Sequence, residues 1–387
     1  MTEWKTYTLK ELSKGRGEYG IGAPAVPFDK EKYTYLRITD INDDGTLNTS
    51  GMMSVDADDA EEYILEKNDI VFARTGNSTG RSYFYDGRDG ELVYAGFLIR
   101  FRLDETKVNP KILKYYTHSK PYYDWVKSFD TGGTRGNINA KTYGDMPIYL
   151  PPRHIQDRIV GILGAIDDKI ENNRRINTNL ELQAQALFDK IFFEDNDAER
   201  NPLSNYADIN PTRTLHQGVV ARYIEMANLP TRGSFPSDWS YKSYGGGCKF
   251  ANGDTIMARI TPCLENGKTA YIDFLEEQEV AFGSTEYIVI SAKNGYCPAL
   301  FYFLARNKEF VDYAVGHMNG SSGRQRVSGA DIANFPMPHI TLEESNKFAE
   351  IAMPIMDVIR NNSLENRHLA TLRDTLLPKL MNGEIKI

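Results

Sequence analysis

The chain has 387 residues, with 45 Lys and Arg against 53 Asp and Glu and a net charge of −8. That balance excludes coating nucleic acid by bulk electrostatics, because phosphate neutralisation needs a positive surface. No apolar run approaches the ~18 to 20 residues of a membrane span, and Met1 opens a polar stretch rather than a secretory signal. The expectation is a soluble, cytoplasmic protein of two ordinary-sized domains.

In chain order, apolar runs at 70–73 and 92–103 predict strands. A helix is expected over about 110–129, opened by Pro110 at a position where a helix tolerates it. A Gly-rich loop and a short strand at 146–150 follow, and then a long helix from residue 153. The second half repeats this order: strands at 255–260, 270–274 and 286–290, a helix over 298–317, a Gly-rich loop, a strand at 335–339 and a closing helix. The likeness is literal in places. Residues 69–74 (DIVFAR) return as 254–259 (DTIMAR), 185 residues on, and GTRGNI at 133–138 faces SSGRQRV at 321–327. From Ile138 against Val327 the offset of 189 holds without a gap to the end, which marks a duplicated domain followed by a duplicated helix.

Apolar residues in the two helices recur at steps of three and four, the spacing of a coiled-coil seam. The first helix offers Ile159, Ile162, Ile166, Asn173, Ile176, Leu180 and Leu187. The second offers Phe348, Ile351, Ile355, Val358, Asn362, Glu365, Leu369, Leu372 and Leu376, with a capping box at Thr341 and Glu344 and Pro378 at its end. Asn173 and Asn362 hold the same place in both copies, where an asparagine fixes register at a cost in stability. A helix of about 35 residues spans roughly 50 Å, near one and a half turns of DNA. The expected architecture is therefore α+β. Two globular domains in pseudo-twofold repeat, 1–152 and 196–341, are separated by helices 153–195 and 342–387 that pair as an antiparallel coiled coil.

These features together resemble the specificity subunits of type I restriction-modification enzymes. The stretches that carry the resemblance are LPPRHIQDRIVGILGAIDDKI at 150–170 with its continuation to 187, YIEMANL at 223–229, MNGSSGRQRV at 318–327 and LLPKLMNGEI at 376–385. Two features depart from the pattern: the second copy lacks the double proline of Pro151 and Pro152, and Pro354 falls early in its helix. The resemblance implies two target-recognition domains, each reading one half of a split, asymmetric site on double-stranded DNA. It also implies two methyltransferase subunits as partners and restriction subunits in the full complex. S-adenosylmethionine, ATP and Mg would then be bound by partner subunits and not by this chain.

Three short motifs that suggest enzymology fail on their own chemistry. Gly267-Lys268-Thr269 ends like a phosphate-binding loop, but Pro262 stands where the first glycine is required. Asp130-Thr131-Gly132 resembles an aspartic-protease triplet, yet the second copy has Met318-Asn319-Gly320 and no carboxylate dyad forms. No asparagine-proline pair continues into the proline-aromatic pocket of an adenine methyltransferase, and the six histidines show no metal-ligand spacing. Cys248, Cys263 and Cys297 form no CxxC pair and read as free thiols. No catalytic or metal residue is expected.

The polar Gly-rich loops fit DNA contacts better. In the first copy the candidates are Arg74, Asn77, Ser78, Thr79 and Arg81 with Thr134, Arg135 and Asn137. The second copy offers Arg259, Thr261, Asn266 and Lys268 with Ser321, Ser322, Arg324, Gln325 and Arg326. Arginine suits guanine and Asn or Gln suits adenine in the major groove, whereas glycine lets a backbone approach phosphate closely. Otherwise, these glycines only shape turns and the arginines bind surface carboxylates. Two other functions compete with a non-catalytic reader: a stand-alone DNA-modifying enzyme, and a coiled-coil adaptor without direct DNA reading.

Overall fold

The computed structural model describes residues 4–49, 51–129, 136–194, 199–293, 295–321 and 323–387. The chain divides into two compact units, Met1–Asp168 with Leu369–Ile387, and Lys169–His368.

In the first unit one sheet runs Glu18–Tyr19, Leu98–Arg102, Asp69–Ala73, Ser82–Tyr85, with every pair antiparallel. A second runs Ala25–Val26, Met53–Val55, Tyr33–Leu36, Leu92–Tyr94, the last pair being parallel. Strand Asp69–Ala73 is buried at every position. Its side chains alternate between two cores, Ile70 and Phe72 in one and Val71 and Ala73 in the other, which is why an unbroken apolar run serves here as a strand. The run 92–103 is not one strand as expected: Leu92–Tyr94 and Leu98–Arg102 belong to different sheets. The chain crosses between them at Gly96, where a Cβ would stand 3.1 Å from the Ile21 carbonyl oxygen.

The helix expected over 110–129 is likewise two, α1 (Pro110–Tyr116) and α2 (Lys120–Lys127). Ser119 is extended at φ −95°, and Pro121 sits in the first turn of α2, where its missing N–H costs no helical bond. Helix α3 (Ala140–Gly144) then leads to strand Pro147–Leu150, which pairs with Lys5–Thr8. Helix α4 (Arg153–Phe193) follows with 41 residues.

The second unit repeats the plan. Its sheets run Ala207–Ile209, Tyr287–Ala292, Asp254–Ala258, Thr269–Tyr271, and Ser240–Ser243, Val220–Ile224, Ala281–Gly283, Cys248–Phe250, again with one parallel pair. Helices α5 (Pro298–Arg306) and α6 (Lys308–Gly316) are separated at Asn307. That residue is extended, and its side chain caps α6 by accepting from the Glu309 and Phe310 N–H groups. Helix α7 (Gly329–Ala333) and strand Pro336–Pro338 precede α8 (Leu342–Met381), 40 residues long. The Thr341–Glu344 capping box is formed. Pro378 does not end α8: the helix runs on to Met381, held because Leu380 and Met381 are buried in the first unit's core.

Within each unit, segments of α4 and α8 run antiparallel. In the first unit Asp167 accepts from Arg373 at 3.3 Å, and Ile159 and Leu163 share a core with Leu377 and Leu380. In the second, Ala184, Phe188 and Phe192 meet Phe348, Ala352, Met356 and Ile359. The expected seam is partly correct. Ile159, Ile166 and Asn173 are buried, Leu180, Leu187 and Ile355 pack partly buried against the second core, and Leu376 does so against the first. Asn362 and Leu369 are half-buried. Ile162, Ile351 and Leu372 are exposed at 37%, 48% and 47%, so they are not seam residues, and Ile176 and Val358 are exposed too. Their neighbours Leu163 and Ala352 are buried instead. One residue turns a helix by about 100°, and a search for large apolar side chains passes over a frame that includes Ser345, Ala352 and Asn366.

The middle of the helix pair is polar. Asn173 is buried and donates to Glu365 at 2.7 Å and to Asn366 at 3.0 Å; Asn362 donates to Asn177 at 2.8 Å. Under the 189-residue offset Asn173 matches Asn362 and Asn177 matches Asn366, so the two contacts exchange with one another. Asn173→Leu should lower stability by about 1–3 kcal/mol, because it strands the side-chain carbonyl of Asn366, whereas Glu365 keeps Lys169 at 3.1 Å. Adding Asn366→Leu should recover part of that loss, a positive coupling that a urea double-mutant cycle reads directly.

Candidate nucleic-acid interface

Each unit builds its candidate surface on the end of its central strand. In the first, the Asp69 carboxylate accepts the Glu66 N–H at 2.9 Å and lies 3.7 Å from Arg100. Burial pushes this carboxyl up to about 6, against the pull of the Glu66 N–H and Arg100. The matching Asp254 is also raised by burial; it accepts the Ala251 N–H at 2.8 Å and pairs with Arg213 at 2.5 Å. The repeated aspartate is thus a structural anchor at the start of the strand, and the repeated arginine at its end faces the loops.

Arg74 donates its N–H to the Phe97 carbonyl at 3.1 Å and accepts from the Ile138 N–H at 3.0 Å. Arg259 does the same with Glu286 and Val327, each at 3.0 Å. These paired backbone contacts bring the two separate candidate stretches of each copy together. In the first unit Thr79 also reaches Gly136 at 3.1 Å, and in the second the Thr261 N–H meets Gln325 at 3.0 Å.

Gly80 is required in the first loop: its φ is +87°, and a Cβ there would stand 2.6 Å from Val126. Asn77 is exposed at the loop tip, Ser78 is buried and Thr79 half-buried. The Arg74 guanidinium lies 5.1 Å from the Tyr19 ring centre and 6.0 Å from Phe97, with no carboxylate within ion-pair distance among the described residues. Arg81 is committed elsewhere, to Asp43 at 2.6 Å and the Ile41 carbonyl at 3.0 Å. Asn137 is exposed, whereas Thr134, Arg135 and Ser322 lie outside the described residues, as does the Asp130-Thr131-Gly132 triplet.

In the second unit Arg326 grips Glu286 through Nη2 at 2.7 Å and Nε at 2.9 Å, and Arg259 stands 3.8 Å from the same carboxylate. Arg326, then Arg259, hold Glu286 below the usual carboxylate range despite partial burial. Lys268 donates to the Met226 carbonyl at 2.7 Å. Asn266, Ser321 and Arg324 are exposed, and Gln325 and Thr261 half-buried. Side chains free to meet a ligand are therefore Arg74, Asn77 and Asn137 in one unit, and Asn266, Ser321, Arg324 and Gln325 in the other. Arg81, Arg326 and Lys268 mainly hold the surface in shape.

Sequence reasoning missed Tyr19 and Phe97, which flank Arg74 from far along the chain, and Glu286, which organises two arginines; Phe97 lies within the apolar stretch LVYAGFLI at 92–99, which gives no sign of its place beside Arg74. The tyrosines are largely framework, with Tyr94, Tyr122, Tyr143, Tyr287 and Tyr302 fully buried. Among the described residues no cluster of His, Cys, Asp or Glu is arranged to hold a metal ion, and no helix is long and apolar enough to cross a membrane.

Residues 1–182 match the family model described as the type I restriction modification DNA specificity domain. The chain is 21% identical to the type I restriction enzyme HindI specificity subunit of Haemophilus influenzae over the whole of both chains. It is 22% identical to a putative type I restriction enzyme MjaX specificity subunit of Methanocaldococcus jannaschii, over 93% of this chain and 88% of that one. The fold is similar to that of a type I restriction-modification system S subunit from M. genitalium, with a TM-score of 0.57, 16% identity, and 98% and 96% of the two chains covered. The family-model match falls in the first half of the repeat, and the similarity to the two specificity subunits runs through both halves.

Proposed function

We propose that this chain is a type I restriction-modification specificity subunit that reads a split, asymmetric site on double-stranded DNA, one half per unit, and scaffolds two methyltransferase subunits, with restriction subunits added in the full complex. In this reading residues 1–152 and 196–341 are the target-recognition domains and 153–195 and 342–387 the spacer helices. The chain itself is non-catalytic, and its partners bind S-adenosylmethionine, ATP and Mg. The observation that carries the reading is that one loop-pairing scheme, Ile138 on Arg74 and Val327 on Arg259, presents different side chains in each unit. Arg74 with Asn77 and Asn137, against Arg324 with Gln325 and Asn266, offer unlike donor patterns, which unlike half-sites would require.

The test is methylation of genomic DNA by the partner methyltransferase with and without this chain, mapped as N6-methyladenine by single-molecule sequencing. A split asymmetric motif that appears only with the chain is the expected result. A stable complex with an active partner and no new motif would instead establish the adaptor reading.

A further inference from the structure

We propose that Arg306 is the positioning residue of the second unit's recognition loop, and that Glu181 on α4 sets it through Tyr302. The inference rests on the DNA-reading function above. Arg306 closes α5 and uses all five of its N–H groups internally. Nη1 donates to the carbonyls of Thr231 at 2.6 Å and Gly267 at 2.9 Å; Nη2 donates to Gly233 at 2.7 Å and Thr269 at 3.2 Å. One planar guanidinium thus ties the loop at 231–233 to the two carbonyls that flank Lys268, at the base of the segment carrying Arg259, Thr261 and Asn266. No hydrogen-bond donor on it remains for DNA.

The fifth group, Nε, donates to the Tyr302 hydroxyl at 3.2 Å, and that hydroxyl donates to Glu181. Tyr302 is fully buried, so its hydroxyl has these two partners in place of water. Burial raises the Glu181 carboxyl, and Tyr302, Arg306 and the Gly233 N–H oppose that rise. The result is a directed chain from a helix carboxylate through a phenol to a cation and on to two loops. Counted from Pro110 and Pro298, which open α1 and α5, the first unit has His118 where the second has Arg306. His118 also abuts a loop glycine: a Cβ on Gly45 would stand 2.5 Å from its Nε2, just as Gly233 meets Arg306. The matching position in the first unit thus also lies against a loop, but among the described residues it makes no counterpart of the carbonyl bonds of Arg306.

The experiment maps methylation by the assembled enzyme carrying Arg306→Lys, Tyr302→Phe or Glu181→Ala. Lysine keeps the charge but lacks the fork, and phenylalanine keeps the ring but removes the relay, so both preserve the bulk of the core. Sites with one mismatch should gain methylation by about tenfold in one half-site only, the same half-site that Arg324→Ala alters, with the other half read as before. A uniform fall at both half-sites, or an unchanged motif in a complex that assembles normally, would overturn the proposal and leave Arg306 a stabilising residue only. If the wild-type chain directs no split motif, the function on which the proposal rests fails with it, and that control separates the two failures.

Discussion

Replacing Phe188 by alanine should lower the stability of the second unit by about 3–5 kcal/mol, among the largest effects a single core truncation produces. The ring is fully buried on α4, with centroids 5.3 Å from Phe192, 6.3 Å from Phe303 on α5 and 5.8 Å from Phe348 on α8. Its removal opens a cavity where three helices meet, so the surrounding side chains have little freedom to collapse into it. Urea unfolding followed by circular dichroism measures the loss. A change below about 1 kcal/mol would mean that the helix junction relaxes around the cavity.

Arg100→Met should cost about 3–5 kcal/mol near pH 8, because it removes the partner of a buried carboxylate. Arg100 is 3% exposed and binds Glu18 at 2.5 Å, the Ile64 carbonyl at 3.0 Å and Asp69 at 3.7 Å. Asp69 titrates near 6 in the fold, above its ordinary value of 3.8. A carboxyl raised in this way contributes stability below about pH 4, and that contribution fades as pH rises through 6. Without Arg100 the carboxyl should rise further, so the deficit of the variant should be greatest at pH 8 and shrink toward pH 5 as Asp69 takes up a proton. Denaturation curves at the two pH values read this difference. An equal deficit at both would assign Arg100's contribution to Glu18 and Ile64 alone.

The duplication was legible because strand, loop and helix recur in order, and DIVFAR and DTIMAR stand at the same place on corresponding strands of the two units. The helix frame was less legible. Large apolar residues such as Ile351 and Leu372 lie one position from buried Ala352 and half-buried Arg373, and composition does not separate adjacent stripes when the true seam contains alanine, serine and asparagine. The breaks at Ser119 and Asn307 were hidden because a long amphipathic window outweighs a single capping residue. In the candidate surface, residue types were readable and their engagement was not. Arg81 and Arg326 look as available as Arg74 and Arg324 in sequence, but Asp43 and Glu286, which occupy them, lie about 40 residues away.

The candidate loops hang from the framework by backbone bonds: Ile138 on the Arg74 carbonyl, Val327 on the Arg259 carbonyl, Thr261 on Gln325. Main-chain groups are common to almost every amino acid. Mutation can therefore exchange Asn77, Asn137, Arg324 or Asn266 without loosening the support that holds them, and each unit can change its exposed side chains independently of the other. The scaffold can be inherited intact while the side chains it presents diversify.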